Sequence, residues 1–386
     1  PKGYDETALT MGKGARWTVA EGSPFGPSQL GPVYAEWLER KRPGAYESIY
    51  EQRRRPEYRQ QSTAIVNTLA ADEYVDYWIG ENTWRYLERP DTGTPERPFF
   101  LWCGFCGPHG PFDPPEPYAS MYEQDAIAIP PLLYARQLNA PGNDRPSRFD
   151  RPGGEDLIRK IIAYYWGMVS FIDTMMGRII DTLTRRGLLD NTLIIFTTDH
   201  GEMLGDFGIL GKGNFTEQVI RAPYIVVPPG STAGAGPRPV DSLVEHIDLA
   251  PTILDYAGIP QPGELPGISL RSILESPTPT NRPPTKDAIL CEYVSNDRRH
   301  RSKCLRTERY KYVYSGRDNP VEFYDLERDP QELVNVAGDP AYRDEVQRHA
   351  ELLLDRLLTT EQTVWNHGGM TPPDRDGFDR PVAAGG

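Results

Sequence analysis

A long amphipathic helix that runs directly into a short apolar strand is the feature that most constrains this sequence. Across residues 155–186, apolar side chains recur every three or four positions, which predicts a helix with one buried face. Gly187 ends that pattern, and residues 192–197 (TLIIFT) form a nearly continuous apolar run, typical of a strand covered on both faces of its sheet. Such a strand needs helices on both sides, so the sequence predicts an α/β fold.

The same alternation of helices and strands continues on either side of this pair. Before it, a helix is predicted over residues 71–87 and a buried strand over residues 98–105. After it come a short strand at residues 224–227 and a helix at residues 248–256, where we expect Asp248 to cap the N-terminus.

The pattern changes beyond a proline-rich bridge near residues 276–285. Strand-like segments then follow one another with turns between them, which is typical of an antiparallel sheet. These segments lie at residues 288–294, 303–314 and 322–326, and a closing helix is predicted over residues 342–358.

Length and charge limit the classes of protein to which the chain can belong. Its 386 residues suffice for two to three domains, and 42 basic against 55 acidic side chains give a net charge of −13. This negative charge opposes binding to nucleic acid or anionic lipid, so an anionic substrate would need a local positive site. No run approaches the ~18 apolar residues of a membrane span.

Localisation and oligomeric state stay open at this point. The chain begins with Pro1 rather than Met and has no signal-peptide pattern, so we expect it to be a piece of a longer chain whose targeting segment could be missing. Its four cysteines are too few for a disulfide framework, which slightly favours the cytoplasm.

An acidic residue and a histidine lie side by side directly after the predicted central strand. Because ligand sites of open α/β sheets lie at the carboxyl ends of strands, Asp199 and His200 occupy a position where chemistry is usual. A carboxylate oxygen and an imidazole nitrogen can together bind a divalent cation. The alternative is that Asp199 caps a turn and His200 packs in the interior; taken alone, the two residues do not decide between these interpretations.

Two further residues are candidates for binding an anion. Lys212 lies between Gly211 and Gly213, in a chain with eight lysines and thirty-four arginines. A compact ammonium suits a tetrahedral anion, although an ordinary solvated lysine fits the same pattern. His109 follows the predicted strand of residues 98–105, where its imidazole could donate to an anionic oxygen, protonate a leaving group, or be a simple turn residue.

Other chemically suggestive residues have a simpler interpretation. Cys103 and Cys106 look like a redox or zinc pair, but they lie in a strand rather than at a helix start, and no second pair supports zinc. We therefore expect them to pack in the interior. His246 precedes the helix of residues 248–256, and we expect it to support or cap neighbouring groups.

Several stretches combine into one recognisable set. In chain order they are residues 99–102 (FFLW) with 108–112 (PHGPF), 198–206 (TDHGEMLGD) with 211–212 (GK), 221–226 (RAPYIV), 248–254 (DLAPTIL), 306–312 (RTERYKY) and 322–326 (EFYDL). Together they resemble the sulfatases of the alkaline phosphatase superfamily, and the likeness extends in order over about residues 95–340.

The resemblance implies a fold and a division of the chain into domains. The fold would be α/β, with a mixed, mostly parallel central sheet between helices and a smaller C-terminal α+β domain with an antiparallel sheet. The catalytic domain, lacking its N-terminal part, would occupy residues 1–275 and the C-terminal subdomain residues 286–365. Residues 366–386 would form a tail.

The resemblance also implies roles for the four candidate residues. Asp199 and His200 would be metal ligands, while His109 and Lys212 would be catalytic residues that contact the sulfate group. Because a single cation and one tetrahedral anion need ligands within a few ångströms of each other, we expect all four side chains to converge on one pocket.

The sequence departs from the family pattern in one important respect. Sulfatases carry an aspartate pair on their first strand and a Cys/Ser-x-Pro-x-Arg motif whose first residue becomes a formylglycine nucleophile; neither occurs in these 386 residues. Residues 106–110 (CGPHG) match Cys-x-Pro but have Gly110 where arginine is required. We therefore expect an N-terminally truncated sulfatase that is inactive as it stands.

For the intact parent, the resemblance implies hydrolysis of a small-molecule or carbohydrate sulfate ester, in which the formylglycine attacks sulfur. The metal would be Ca²⁺, with Mn²⁺ as an alternative because of His200. Two other functions stay open. One is a phosphonate monoester hydrolase or phosphodiesterase of the same superfamily, favoured by Asp-His in place of Asp-Asn at the metal. The other is a non-catalytic, truncated protein that binds a metal or an anion.

Overall fold

The structure is a computed structural model, and it describes residues 6–8, 32–137, 147, 149–231, 238–261, 265–276, 286–294 and 301–365. The chain divides into two compact units. The first contains the described parts of Pro1–Ala135, Pro146–Thr192 and Leu204–Leu210. The second contains the described parts of Arg136–Arg145, Leu193–Met203 and Gly211–Gly386.

The first unit is built from helices, and its longest helix provides the main apolar face. In chain order the helices are α1 (Pro32–Lys41), α2 (Ala45–Arg54), α3 (Pro56–Gln60), α4 (Val75–Leu87) and α5 (Gly154–Arg185). Short 3₁₀ turns lie at Ala71–Glu73, Gln124–Ala126, Leu189–Asn191 and Asp206–Gly208. The helix α5 begins with Glu155 and Asp156, whose negative charges favour a helix N-terminus.

Two apolar clusters hold the first unit together. One contains Trp78 of α4 packed against Phe171 and Met175 of α5, together with residues of α1 and α2. The other surrounds Ile158 and Ile162 nearer the start of α5. The period of three to four residues along α5 therefore corresponds to a face that is buried along its length.

The second unit contains all the strands that the described residues form. In chain order its elements are β1 (Ile194–Thr197), α6 (Glu217–Ile220), β2 (Tyr224–Val227), α7 (Leu249–Tyr256), α8 (Arg271–Glu275), β3 (Ala288–Val294), β4 (Arg301–Thr307), β5 (Tyr310–Tyr314), β6 (Glu322–Asp325) and α9 (Arg343–Trp365). The strands β1 and β2 form an antiparallel pair in which Ile194 faces Val227 and Thr197 faces Tyr224.

The remaining strands form an antiparallel sheet in the order β3-β4-β5-β6. Its apolar cluster joins Leu305, Tyr312 and Phe323 of the sheet to Leu353 of α9. Lys311 of β5 is fully buried beside Glu217 and Glu332, with an Nζ–Oε1 distance of 2.8 Å to Glu217. Sheet and helix together form the C-terminal α+β part that the sequence predicts.

Most of the predicted elements are present within a few residues of their expected ends. The prediction of a strand at residues 98–105 is wrong for the described structure, which gives this segment no ladder and leaves Phe100 and Trp102 exposed. A strand needs a partner, and no described strand pairs with it. Residues 277–285 and the predicted tail at 366–386 lie outside the described residues.

Asp248 occupies the N-cap position of α7 as expected, but its side chain does not cap that helix. The Asp248 side chain accepts from the N–H groups of Glu245 and Ile268, rather than from the first turn of α7. Lys286 pairs with the same carboxylate at 2.6 Å, so Asp248 joins three segments of the chain. Separately, no helix among the described residues is long and apolar enough to cross a membrane.

Candidate functional site

The site residues of the second unit begin where β1 ends. Thr197 is the last residue of β1, and Asp199 and His200 follow in the loop after it. The Asp199 side chain is 80% exposed, and its Oδ1 atom accepts from the His200 N–H at 3.1 Å. The strand therefore delivers an accessible carboxylate at its carboxyl end.

The His200 imidazole has its two nitrogens in different environments. Its Nδ1 atom lies 2.7 Å from the carbonyl oxygen of Gly201, and because a carbonyl can only accept, Nδ1 carries the proton of this hydrogen bond. Its Nε2 atom is buried, has no hydrogen-bond partner among the described residues, and lies 3.3 Å from Oδ2 of Asp199. In the neutral imidazole, Nε2 therefore presents a lone pair beside a carboxylate oxygen, which is the donor pair that a divalent cation would join.

The turn that carries this pair packs tightly against α6 and has no room for a side chain at position 201. The Gly201 N–H donates to the carbonyl of Val219 at 2.7 Å. A Cβ atom at Gly201 would lie 1.9 Å from the carbonyl oxygen of Gln218. A residue other than glycine would push the Asp199–His200 turn away from α6.

The loop around Lys212 is shaped by its two glycines. Gly211 has φ 88° and Gly213 has φ 111°, a left-handed region that residues with a side chain rarely adopt. The Met203 N–H donates to the Gly211 carbonyl at 3.0 Å, and the Gly211 N–H donates to the Glu202 carboxylate. These bonds tie the Lys212 loop to the segment that follows His200.

Lys212 itself is exposed and makes no hydrogen bond or ion pair with any residue that the structure describes. It lines a cavity of 2190 Å³ in the second unit, and Asp199 and His200 line the same cavity. Three of the four predicted site residues are thus brought to one cavity, where the ammonium is available to an anion.

Two aromatic residues of this cavity were not singled out as site residues from the sequence. Tyr224 stacks on His246 with ring centroids 6.3 Å apart, and Nε2 of His246 lies 3.2 Å from Oγ1 of Thr197. Burial, together with the charge of Asp248, raises the pKa of Tyr224 to about 12, so its hydroxyl stays protonated at neutral pH. Sequence reasoning placed His246 among supporting residues, and nothing in the spacing of Tyr224 distinguished it from a core residue.

His109 belongs to the first unit and lies in the loop of residues 106–113, which we call the His109 loop. Its side chain is exposed, and its Nδ1 atom lies 2.5 Å from the carbonyl oxygen of Gly110. As in His200, this bond places a proton on Nδ1. The expected convergence of His109 with Asp199, His200 and Lys212 stays a prediction.

Sequence reasoning missed the group that holds the start of the His109 loop. The N–H groups of Cys106 and Gly107 both donate to the carboxylate of Asp76, a residue of α4 that is 1% exposed. Asp76 was an acidic residue within the predicted helix of residues 71–87, and its place in the first turn of α4 ordinarily indicates only a favourable helix N-terminus.

The two cysteines of this region have the environment of packed residues. Cys103 accepts a hydrogen bond from the Thr83 hydroxyl at 3.2 Å, and burial raises the pKa of its thiol to about 11. Both Cys103 and Cys106 are reduced and pack against the cluster around Trp78. The described residues contain no group of three or more His, Cys, Asp or Glu side chains that could hold a metal ion.

Comparison with known proteins shows which family this sequence resembles. A model of the sulfatase domain matches residues 29–259, and a model of the C-terminal region of N-sulphoglucosamine sulphohydrolase matches residues 205–360. The arylsulfatase of Clostridium perfringens is 30% identical over 298 residues, 74% of this chain and 58% of the relative. The choline-sulfatase of Rhizobium meliloti is 32% identical over 287 residues, 72% of this chain and 53% of the relative.

Solved structures share the fold. The phosphonate monoester hydrolase of Agrobacterium radiobacter matches with a TM-score of 0.65 and 29% identity, over 77% of this chain and 63% of that one. A structure described in complex with its substrate D-glucosamine-2-N,6-O-disulfate matches with a TM-score of 0.59 and 21% identity, over 76% and 71%. These likenesses confirm the predicted α/β fold of the alkaline phosphatase superfamily.

The chain spans little more than half the length of the two curated relatives described above. The sulfatase model nevertheless covers well over half of the 386 residues and includes His109, Asp199, His200 and Lys212. The chain belongs to the sulfatase family.

Proposed function

We propose that this chain serves the hydrolysis of sulfate esters, with small-molecule or carbohydrate sulfates as the substrate class. The observation that carries the proposal is the Asp199–His200 pair, in which a buried imidazole nitrogen lies 3.3 Å from an accessible carboxylate. Lys212 lines the same cavity with its ammonium unpaired among the described residues. Relatives named arylsulfatase and choline-sulfatase support this choice of ester.

Asp199 and His200 would hold a divalent metal. The carboxylate oxygen suits a hard cation such as Ca²⁺, while the Nε2 donor of His200 makes Mn²⁺ an alternative. The Nδ1–H bond to the Gly201 carbonyl fixes the imidazole tautomer in which Nε2 is a ligand. When bound, the ion would supply positive charge that stabilises the charge developing on the sulfate oxygens.

Lys212 and His109 would act directly on the ester. The Lys212 ammonium, held between two glycines in left-handed conformations, would share the charge of a non-bridging sulfate oxygen. His109, in its imidazolium form with protons on both Nδ1 and Nε2, would donate the Nε2 proton to the leaving oxygen as the sulfur–oxygen bond breaks. The nucleophile expected for this family has no matching motif in the 386 residues, so no nucleophile is assigned to the chain.

The proposal is tested with the product of the complete coding sequence in which these residues lie. We expect that product to hydrolyse nitrocatechol sulfate in a reaction that EDTA abolishes. Replacing Lys212 by alanine should lower kcat/KM by about a hundredfold or more, because a charge aimed at the transition state is lost. The matched variant Lys303→Ala, which removes a lysine from β4, should retain activity. Unchanged activity in the Lys212 variant would overturn its assigned role.

A phosphonate monoester hydrolase or phosphodiesterase is the second candidate function. It is favoured by the histidine at position 200 and by the match to the Agrobacterium radiobacter phosphonate monoester hydrolase. Assaying phenylphosphonate monoesters beside sulfate esters distinguishes the two, since the preferred ester has the higher kcat/KM. Metal binding without turnover of either ester would instead favour a non-catalytic protein.

A further inference from the structure

We propose that Asp76 is a positioning residue for His109. The inference rests on the proposed function, in which the His109 imidazole protonates the leaving oxygen. Asp76 lies on α4, thirty-three residues before His109, and would act through the backbone of the His109 loop rather than by touching the substrate.

The first step concerns the start of the loop. Oδ1 of Asp76 accepts from the N–H of Cys106 at 2.6 Å and from the N–H of Gly107 at 3.1 Å, while Oδ2 is 3.2 Å from the Gly107 nitrogen. Two consecutive backbone N–H groups therefore point at one carboxylate. Because Asp76 is 1% exposed, these charge-assisted bonds are shielded from water and are stronger than their exposed equivalents.

The second step is that the loop lies in close contact with this carboxylate at Gly107. A Cβ atom at Gly107 would lie 2.9 Å from Oδ2 of Asp76 and 3.1 Å from Cδ1 of Ile172 on α5. Position 107 therefore lies between α4 and α5, and a side chain there would have to displace the Asp76 carboxylate or the end of Ile172. Contacts with these two helices therefore fix the position of Gly107, two residues before His109.

The third step concerns the end of the loop, where the buried carboxylate of Asp113 is held by three hydrogen bonds. Asp113 is fully buried and accepts from Arg53 at 2.9 Å, Asn67 at 3.0 Å and Tyr74 at 2.9 Å. The His109 loop thus runs between Asp76 at its start and Asp113 at its end. Both anchors belong to the packed part of the first unit.

The fourth step is that His109 has no comparable anchor of its own. Within the described residues its hydrogen bond goes to Gly110, inside the same loop, and its ring is exposed. The place of its Nε2 atom therefore follows from the backbone, and the backbone follows from Asp76 and Asp113. A shift of about 1 Å at a proton donor is enough to reduce catalysis strongly.

Asp76 is the better of the two anchors to test. Removing Asp113 would leave the buried Arg53 guanidinium without its 2.9 Å partner, which is strongly destabilising whatever His109 does. Asp76→Asn keeps the shape and one acceptor but loses the charge, and its amide group would face an N–H donor. Asp173→Asn on the exposed side of α5 is the matched control.

The structural readout is hydrogen exchange of the chain as it stands. In Asp76→Asn we expect the amides of Cys106 and Gly107 to exchange about tenfold faster or more, since a charge-assisted bond is worth more than 1.4 kcal/mol. The Ile65 amide, which donates to the Phe112 carbonyl at the other end of the loop, should be unchanged. Unchanged exchange at positions 106 and 107 would overturn the proposal.

The kinetic readout uses the complete coding-sequence product and a series of sulfate esters. A mispositioned proton donor matters most for poor leaving groups, so Asp76→Asn should lower kcat about tenfold for an alkyl sulfate and much less for nitrocatechol sulfate. Partial unfolding would instead lower kcat equally for every ester. The double variant Asp76→Asn/His109→Ala should be no slower than His109→Ala, and fully additive losses would overturn the proposal.

Two further outcomes keep the inference distinct from the proposed function. If Asp76→Asn does not fold, Gly107→Ala displaces the same junction from the loop side, and the same exchange and leaving-group changes are expected. If the wild-type product hydrolyses neither sulfate nor phosphonate esters, the proposed function fails. The exchange measurement still decides whether Asp76 holds the loop.

Discussion

Nε2 of His200 lies 3.3 Å from Oδ2 of Asp199, while Nδ1 of the same ring donates to the Gly201 carbonyl at 2.7 Å. With Nε2 unprotonated, two electron-rich atoms at this distance repel each other unless a cation binds to both. The loop after β1 therefore holds a pair of donors whose arrangement becomes favourable when a cation binds. In the proposed function, the preference among divalent metals would follow from one oxygen and one nitrogen ligand.

The first prediction concerns this pair. Replacing Asp199 by asparagine should weaken binding of Mn²⁺ to the chain at least about tenfold, about 1.4 kcal/mol, because a neutral amide replaces a charged ligand. His200→Asn should weaken Mn²⁺ binding more than Ca²⁺ binding, since the lost ligand is a nitrogen. Isothermal titration calorimetry measures both.

Asp318→Asn, an exposed change of the same charge in the second unit, is the control for Asp199. Equal Mn²⁺ affinities for wild type and the Asp199 variant would show that the pair is not a metal site.

The second prediction concerns the turn that carries the pair. Gly201→Ala places a methyl group against the backbone of α6, where a Cβ would lie 1.9 Å from the Gln218 carbonyl oxygen. We expect a loss of about 1–3 kcal/mol in the free energy of unfolding, typical of overpacking. Urea unfolding measures the loss. Gly338→Ala is the control because a Cβ at Gly338 has no neighbour within 4 Å, and equal stability of the two variants would contradict the packing argument.

Helices and strands were predictable from the sequence where the apolar pattern of the segment itself determines its structure. The apolar period of α5 and the apolar run that becomes β1 gave their boundaries to within about two residues, because each depends on its own side chains. Residues 98–105 have an equally apolar run yet form no described strand. A strand forms only where another strand lies beside it to accept and donate its hydrogen bonds, and the apolar pattern of one segment does not reveal whether such a neighbour exists.

The candidate residues Asp199, His200 and Lys212 were selected from short local motifs. These three residues line one cavity of the second unit, whereas their roles and the inclusion of His109 rest on the family resemblance and stay predictions. Asp76 was not found, because its acceptor role exists only once α4 lies against residues 106–107. Long-range contacts of this kind have no signature within a single sequence.

The third prediction is that the 386-residue chain by itself shows no sulfatase turnover. The sequence contains no Cys/Ser-x-Pro-x-Arg motif, so it has no residue that family resemblance would convert into the nucleophile. Purified chain should match a buffer blank with nitrocatechol sulfate. The arylsulfatase of Clostridium perfringens is the positive control, and robust turnover by the 386 residues would show that another nucleophile is present.

The fourth prediction concerns pH and the C-terminal helix. Burial lowers the pKa of His349 below its ordinary 6.5; Arg348 acts in the same direction, whereas the Glu345 backbone and carboxylate oppose it. As the pH falls below about 6.5, His349 therefore becomes protonated in the unfolded chain before it does so in the folded chain. This contribution to stability is complete above pH 6.5 and declines as the pH falls from 6.5 towards the folded pKa.

Urea unfolding at pH 7.5 and 5.5 checks this sign. The urea midpoint of wild-type unfolding should be lower at pH 5.5 than at pH 7.5. The decrease should be smaller in His349→Gln, because glutamine does not titrate in this range. The glutamine side chain can still bond to the Thr307 hydroxyl, the 3.1 Å partner of Nε2. An identical pH dependence in both proteins would rule out His349 as the cause.

The last prediction tests whether His109 shares a pocket with the metal pair. If the four residues converge as the family resemblance implies, Mn²⁺ bound at Asp199 and His200 should broaden the NMR signals of the His109 ring, because paramagnetic relaxation falls steeply with distance. His349, in the C-terminal helix α9, provides an internal comparison within the same spectrum. Mn²⁺ should leave the His109 signals sharp in Asp199→Asn, where the ion is lost. Sharp His109 signals in wild type at saturating Mn²⁺ would contradict a shared site, and with it the proposed role of His109 in protonating the leaving oxygen.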